Sequence, residues 1–556
     1  MKEAIINLLK KEVLLKKDEI EKLIEIPPSI EMGDYAFPCF SLSKQFKKNP
    51  NQIAEELKNK IKLPKQIEKI EVVGAYLNFF VDRKIFAEDL INEILKKKGD
   101  FGKRNFNLKR MVEFSQPNTH KAFHVGHIRG TSLGESLARI AEFFGEKVIR
   151  ANYSGDTGMH IAKWIWCYKK YHSKEKLKDD ESWIASIYVD AVKRLSTNEK
   201  FQEEVGIINK KIENKSDKEI NELWKKTRQL SVNSWKKIYQ ELNTKFDMHY
   251  FESDMEKRGK EITNELLKKG IAKKSDGAII IDFEKYNLGV LVFLRRDGTI
   301  LYAGKDLALA EEKAKKKLDW YVYVVADEQN LYLKQIFKTL ELMKFKEAKK
   351  FHHVSFGLVK LPEGKMSSRT GENILYSDFL KEVMDFAKKR IKERTVKINK
   401  TELEKRALAV SIAAIKYSML KQGGNKNITF KKQDALNFEG DTGPYLLYSY
   451  ARANSILKKI KSNKKLSIKN LNQIEIKLVK KLSQFPEVVL NAYKSFNPSL
   501  IANYSYHLAQ IFNEFYHACP VIGSEQESFR LALVISFKKV LENSLNLLGI
   551  ESLEEM

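Results

Sequence analysis

A chain of 556 residues, 43% of them hydrophobic, is long enough for several domains with large cores. Its formal charge of +27 and pI near 9.5 favour a polyanionic partner, nucleic acid first. Cys39, Cys167 and Cys519 are odd in number and far apart, which argues against a disulfide scaffold and fits a reducing cytoplasm. The first residues read as an amphipathic helix rather than a secretion signal, and no apolar run is long enough to span a bilayer.

Residues 1–100 read as a small α+β unit. Helical patterns lie around Ile5–Leu15 and Gln52–Lys60, with Pro27-Pro28 and Gly33-Asp34 as breakers, and strands are predicted at Lys69–Val73 and Tyr76–Phe80. A basic, glycine-bearing linker from Lys97 to Lys109 leads into a second unit. Met111–Phe114 reads as a strand. Leu133, Leu137, Ile140 and Phe144 then recur at helical spacing, Gly145 stops that helix, and Lys147–Ala151 reads as another strand. This pattern predicts a parallel α/β sheet, with ligands at the carboxyl ends of its strands. The first loop carries Glu113, Asn118, His124, Gly126 and His127. His124 and His127 fall where the helix begins, a place whose free N–H groups and partial positive charge suit phosphate. Gly126 leaves room for a flat ring against the backbone. On their own the two histidines are also readable as a metal pair or as solvated loop residues, though no Cys or third His with ligand spacing lies nearby. Gly126, Gly130 and Gly134 are four apart; Arg129, Glu135 and Arg139 exclude a membrane helix there, so close helix–sheet packing is the better reading.

From about 160 to 272 charged, amphipathic helices dominate, with Ser231, Trp235, Ile238 and Leu242 on one face, and read as an insertion between two halves of the sheet. Strands return at Ala278–Asp282 and Val290–Leu294, and Arg296-Asp297-Gly298 is a turn. Thr299–Tyr302 leads into a helix from about Asp306. Trp320–Ala326 is a continuous apolar run, as in a strand buried on both faces, and a helix follows over Leu331–Met343. Gly364-Lys365-Met366-Ser367-Ser368-Arg369-Thr370-Gly371 is a polar loop with a glycine at each end. Beyond Glu402 only helical patterns remain. Tyr445, Tyr448, Tyr450 and Arg452 in this bundle suit stacking on unpaired bases and equally suit a bundle core.

Taken together and in this order, His124-Val-Gly-His127 and Lys365-Met-Ser-Ser-Arg369 resemble the two signatures of class I aminoacyl-tRNA synthetases. Other residues narrow the resemblance to the arginyl-tRNA synthetase family: Glu113 with Pro117-Asn118, Asn152-Tyr153-x-Gly155-Asp156, Tyr302-x-x-x-Asp306, Ala326-x-x-Gln329 and Gly440-x-Thr442-Gly443-Pro444-Tyr445. The resemblance covers essentially the whole chain. It implies an N-terminal α+β domain at 1–100 that contacts transfer RNA. It implies a Rossmann-like catalytic domain at 108–395, with a helical insertion at about 160–272 and a signature loop at 364–371. An all-α anticodon-binding domain would fill 400–556.

The reaction implied is activation of L-arginine by ATP, with Mg2+ accompanying the nucleotide, and transfer of arginine to the 3′-terminal adenosine of tRNA(Arg). No structural metal and no membrane contact are expected, and the resemblance implies a cytoplasmic monomer. The resemblance places His124, Gly126, His127, Lys365, Met366, Ser367 and Ser368 around ATP, with His124, His127 and Lys365 as the catalytic groups. It places Glu113, Asn118, His124, Tyr302, Asp306 and Gln329 around arginine, Tyr76 and Asn78 at the D-loop, and Tyr448 and Arg452 at the anticodon. Three departures stand out. Ala75 replaces a Pro or Gly of many relatives in the turn that presents Tyr76. Lys121-Ala122 stands where many bacterial relatives have Gly and Pro, so Lys121, with His120 beside it, reads either as an extra phosphate contact or, equally, as a solvent-exposed loop residue. Lys365 is kept where many relatives have lost it. Members of the family generally need transfer RNA bound before they activate arginine. Three alternatives differ in their residues. A class I synthetase for glutamate or glutamine would want Arg or Lys in place of Glu113 and Asp306. A non-catalytic RNA-binding relative would be expected to lose His124, His127 or Lys365. A nucleotidyltransferase without an RNA partner leaves the helical domain unexplained.

Overall fold

The computed structural model describes residues 2–360, 362, 374–394, 397–460 and 466–556. They divide into two compact units, one of residues 1–101, 456–484 and 511–540, the other of 102–455, 485–510 and 541–556. In the first unit an antiparallel sheet runs in the order Tyr35–Pro38, Tyr76–Val81, Ile67–Val73. Its helices bury Ile5, Ile6, Leu9 and Leu57 against Phe37, Leu77 and Phe79. Val73 pairs with Tyr76 across Gly74-Ala75, and Gly74 has φ +60°, the left-handed conformation a tight hairpin requires. Ala75 is buried and its carbonyl accepts from Cys39 N at 2.8 Å, so the turn presenting Tyr76 closes with alanine in place.

The second unit is built on a five-stranded parallel sheet. Its strands are β1 (Lys109–Glu113), β2 (Lys147–Ser154), β3 (Met248–Phe251), β4 (Trp320–Ala326) and β5 (Phe351–Phe356), in the spatial order β5-β4-β1-β2-β3. The chain first adds strands to one side of β1, then returns to the other. The crevice at the carboxyl ends of β1 and β4 is therefore a topological switch point, where sheets of this kind take ligands. Helix α1 (Val125–Phe143) joins β1 to β2. It lies close because a Cβ on Gly134 would come within 2.1 Å of Phe114 Cγ, and one on Gly130 within 2.9 Å of Phe356 Cζ. Buried Arg150 on β2 donates to both Glu135 and Glu142 of α1, fixing helix to sheet.

Between β2 and β3 run four α-helices, Met159–Cys167, Glu181–Leu195, Lys200–Glu213 and Lys218–Glu241, cored by Trp164, Trp166, Trp183 and Trp224. Strand β3 lies inside the stretch read as helical; its four residues are too few to display a strand period. Ala278–Asp282 and Val290–Leu294 stand apart from the parallel sheet and form a small antiparallel one with Lys273–Ser275. It packs with helices α2 (Glu252–Lys268) and α3 (Tyr302–Ala314). Helix α3 starts at Tyr302, a turn earlier than its pattern suggested, which sets Tyr302 and Asp306 on one face. Helix α4 (Asn330–Leu342) links β4 to β5. The C-terminal part is helical, except that Ile428–Thr429 pairs in parallel with Val359–Lys360. Among the described residues no helix is long and apolar enough to cross a membrane.

Candidate active site

The loop leaving β1 is strained. Ser115, Gln116 and His120 have φ of 80°, 47° and 62°. Such a conformation costs roughly 1–3 kcal/mol per residue and collects where a loop must aim side chains. His120 N donates to Ser231 Oγ at 3.0 Å, and its ring sits between Thr119 and Thr227, fully buried. His120 therefore faces the helical insertion and is withdrawn from the phosphate role considered for it. Half-buried Lys121 lies 5.6 Å from the Tyr188 ring centre.

His124 caps α1. Its Nδ1 accepts from Gly126 N at 3.2 Å, and His127 Nδ1 accepts from His124 N at 3.1 Å. The two rings face each other with centroids 3.9 Å apart. Gly126 accommodates the ring of His124 itself, whose Nδ1 would lie 2.9 Å from an added Cβ. Burial, then nearby Lys121, pushes His124 down to about 4; burial, then His124, pushes His127 well below the usual range. With Nδ1 an acceptor and the ring neutral, each histidine carries its hydrogen on Nε2. The pair thus presents two uncharged N–H donors at a helix N-terminus.

Carboxylates gather at the ends of β1, β2, β3 and the start of α3, and most of them already have cations. Glu113, 3% exposed, accepts from Lys313 and, at 3.3 Å, from Gln116 Nε2. Lys313 is itself buried, 3.8 Å from the centre of the Tyr323 ring. Asp156 accepts from Arg228 at 2.8 Å and from Ser253 N and Oγ. Lys305 lies 3.2 Å from Glu252 and 3.1 Å from Glu256. Asp306 differs. It accepts from Tyr332 OH, and among the described residues no cation lies within ion-pair distance of it. Burial, with Glu113 and Glu252 nearby, pushes its carboxyl up to about 7 against the lowering effect of the Tyr332 hydrogen bond. The Tyr332 ring meets exposed Tyr302 edge-on at 4.8 Å.

Asn118 is exposed. A Cβ on Gly155 would lie 2.4 Å from Asn118 Oδ1 and 3.1 Å from Glu252 Oε1, so that glycine seats both side chains. Gln329 is exposed after β4, and its side chain makes no hydrogen bond among the described residues. Lys365, Met366, Ser367 and Ser368 lie outside the described residues. Sequence reasoning missed Lys313, Glu252 and Tyr332. A signal for Lys313 existed, since it stands seven residues after Asp306 on the same helix face.

Of the nucleic-acid candidates, Tyr76 is half-buried, edge-on at 5.6 Å to the ring of exposed Phe40, while Asn78 is buried. Arg452 Nη2 donates to Tyr448 OH at 2.9 Å, with its guanidinium 4.7 Å from the ring centre. Elsewhere Cys167, His172 and Asp190 hold three possible metal-ligand atoms within 4.8 Å of one another. Arg194 donates to Asp190 at 2.7 Å and Glu175 pairs with His172 at 2.6 Å, so a cation there would have to displace a guanidinium.

The family model for tRNA synthetases class I (R), catalytic domain, matches residues 90–431. Switch-point sheet, histidine-capped helix and family match together define a class I aminoacyl-tRNA synthetase. The DALR anticodon binding domain matches 446–556 and the arginyl tRNA synthetase N terminal domain matches 1–81. The chain is 39% identical over 572 residues to an arginine–tRNA ligase of Clostridium botulinum (strain Alaska E43 / Type E3), covering 100% of both. It is 38% identical over 566 residues to that of Clostridium acetobutylicum, again covering 100% of both. The solved Thermus thermophilus arginyl-tRNA synthetase is similar with a TM-score of 0.81 at 27% identity, covering 100% of this chain and 99% of that one. The chain belongs to the arginyl-tRNA synthetase family.

Proposed function

We propose that the chain activates L-arginine with ATP and transfers it to tRNA(Arg), with Asp306 as the counter-ion of the substrate guanidinium. The arginine carboxylate attacks the α-phosphorus of ATP and pyrophosphate leaves. The 3′-terminal ribose hydroxyl of the transfer RNA then attacks the acyl carbon and AMP leaves. The observation that carries this reading is Asp306, a carboxylate at the switch point that has no cation among the described residues, beside carboxylates that have one. A guanidinium fits an acceptor of this kind in its plane. Tyr302 and Tyr332 border the planar group; Glu113, Asn118, Glu252 and Gln329 face the amino-acid end.

His124 and His127 would donate from Nε2 to phosphate oxygens. Being neutral, they need not lose a proton or be paired to do so, and they are aimed before the charge develops. Lys365, with Met366, Ser367 and Ser368, would hold the β- and γ-phosphates as the family signature implies. Mg2+ arrives as part of the ATP substrate on phosphate oxygens; the histidine pair supplies nitrogen donors rather than the oxygen ligands magnesium prefers.

Residues 1–100 would hold the D-loop through Tyr76 and Asn78, residues 108–395 would carry the chemistry, and residues 400–556 would hold the anticodon through Tyr448 and Arg452. The enzyme would act as a monomer in the cytoplasm. The test is aminoacylation of arginine-accepting RNA across the amino acids. Arginine alone should be charged; charging of glutamate or glutamine, or of none, refutes the reading.

A further inference from the structure

Helix Tyr376–Arg394 follows the second signature in the chain, and its start is tied to the first signature. Tyr376 N donates to Phe123 O at 2.9 Å, Leu375 pairs with His124 in an antiparallel bridge, and the Tyr376 ring meets Phe123 edge-on at 6.0 Å. On its outer side the same turn rests on the helical insertion. Glu181, the first residue of Glu181–Leu195 and only 9% exposed, accepts from Ser377 N at 3.3 Å through Oε2. Ser182 Oγ and Ser377 Oγ are 3.4 Å apart. Two helix N-termini thus meet head to head, and a buried carboxyl stands between their partial positive charges.

We propose that Glu181 is a positioning residue for His124, holding Leu375 and Tyr376 on the backbone of Phe123 and His124 so that the His124 ring stays aimed at the nucleotide.

Three features carry this. Glu181 has no ion-pair partner within 4.0 Å among the described residues, and its other oxygen, Oε1, is buried without a hydrogen bond there. A carboxyl so placed is costly to the fold and is spent entirely on the Ser377 turn. Second, the path from Glu181 to His124 needs only the turn at Leu375–Ser377, and every link beyond the Glu181 carboxyl is a backbone contact rather than a mobile side chain. Third, the other contacts that orient His124, its Nδ1 bond to Gly126 N, its N–H to His127 Nδ1 and its ring contact with His127, are all made within its own turn. Burial pushes the Glu181 carboxyl up to about 7, so glutamine, neutral and of the same length, is a close mimic.

The inference rests on the reading of His124 as a phosphate donor, and the test separates the two. Pyrophosphate exchange is measured for Glu181→Ala, Glu181→Asp and Glu181→Gln, alone and with His124→Asn. Glu181→Ala and Glu181→Asp should raise KM for ATP and lower kcat by about tenfold while KM for arginine stays unchanged; Glu181→Gln should stay within about twofold of the parent. Adding Glu181→Ala to His124→Asn should have little further effect, because both changes act through one ring. The proposal is overturned if Glu181→Ala and Glu181→Asp leave ATP kinetics intact. It is also overturned if they raise both Michaelis constants together, or if the double variant shows the product of the two single effects. Should Glu181→Ala fail to fold, Glu181→Asp against Glu181→Gln decides by itself. A His124→Asn enzyme with unaltered ATP kinetics would instead refute the phosphate reading beneath it.

Discussion

Replacing Asp306 by asparagine removes one charge and keeps an acceptor for the Tyr332 hydroxyl. A hydrogen bond to a charged group contributes about 1.5–3 kcal/mol, and every 1.4 kcal/mol is tenfold, so KM for arginine should rise about 10- to 150-fold. The pH dependence gives a sharper signature. In the free protein burial raises the Asp306 carboxyl to about 7, whereas a bound guanidinium requires it ionised. Raising pH through 7 therefore fills the binding-competent form and lowers KM. At pH 6 only about a tenth of the free protein carries the ionised carboxyl, so KM for arginine should be roughly tenfold higher than at pH 8. Asp306→Asn should abolish that slope. Stability should not suffer at pH 8. A carboxyl whose folded pKa lies above its unfolded value favours the fold at low pH and loses that contribution as pH rises toward 7. The assay is pyrophosphate exchange at saturating ATP and transfer RNA from pH 6 to 8, with thermal melts alongside. A flat KM profile in the parent, or an unchanged KM in Asp306→Asn, would falsify the assignment of Asp306 to the guanidinium.

His127→Asn should lower kcat for exchange by about 10²–10³, the range for losing one preorganised donor, while the parent shows no histidine titration between pH 6 and 8 because both rings are already neutral. A kcat inflection near 6.5 would contradict the neutral-donor account. Gly134→Ala forces a methyl onto Phe114 and should cost about 1–3 kcal/mol, read as a lower Tm; an unchanged Tm would mean that the helix moves away freely. Tyr448→Ala should lose discrimination between anticodon variants with little change in KM for arginine. Equal discrimination by mutant and parent would remove Tyr448 from the anticodon site.

The architecture was legible where a pattern is local. The glycines of α1 announced close packing, and the structure shows what each one faces: Phe356 at Gly130 and Phe114 at Gly134. Trp320–Ala326 announced a strand covered on both faces, and it sits inside the parallel sheet. Strand β3 was not legible because four residues, Met248-His-Tyr-Phe251, carry no period; its place is fixed by pairing with β2, about a hundred residues earlier. The burial of His120 was equally hidden. It depends on Ser231 and Thr227, which stand 111 and 107 positions later in the chain.

What the sequence could not disclose is the charge state of the site. Glu113, Asp156, Glu252, Glu256 and Asp306 look alike on paper, and which of them is free depends on cations brought from Lys313, Arg228 and Lys305. Lys313 is 200 positions from Glu113. With those contacts known, these five carboxylates meet three cations among the described residues, leaving two negative charges when all are ionised. Arginine brings two positive charges, its guanidinium and its α-ammonium. Glutamate or glutamine would bring one at most beyond the shared carboxylate and would leave the excess unanswered in a buried place, a costly mismatch. Lysine matches the charge but not the shape, because its ammonium is a compact point that cannot offer a planar face to Asp306 between Tyr302 and Tyr332. On the proposed reading, selectivity would follow from two separable features, a charge balance set by distant pairings and a carboxylate, Asp306, that has no cation among the described residues and is flanked by rings.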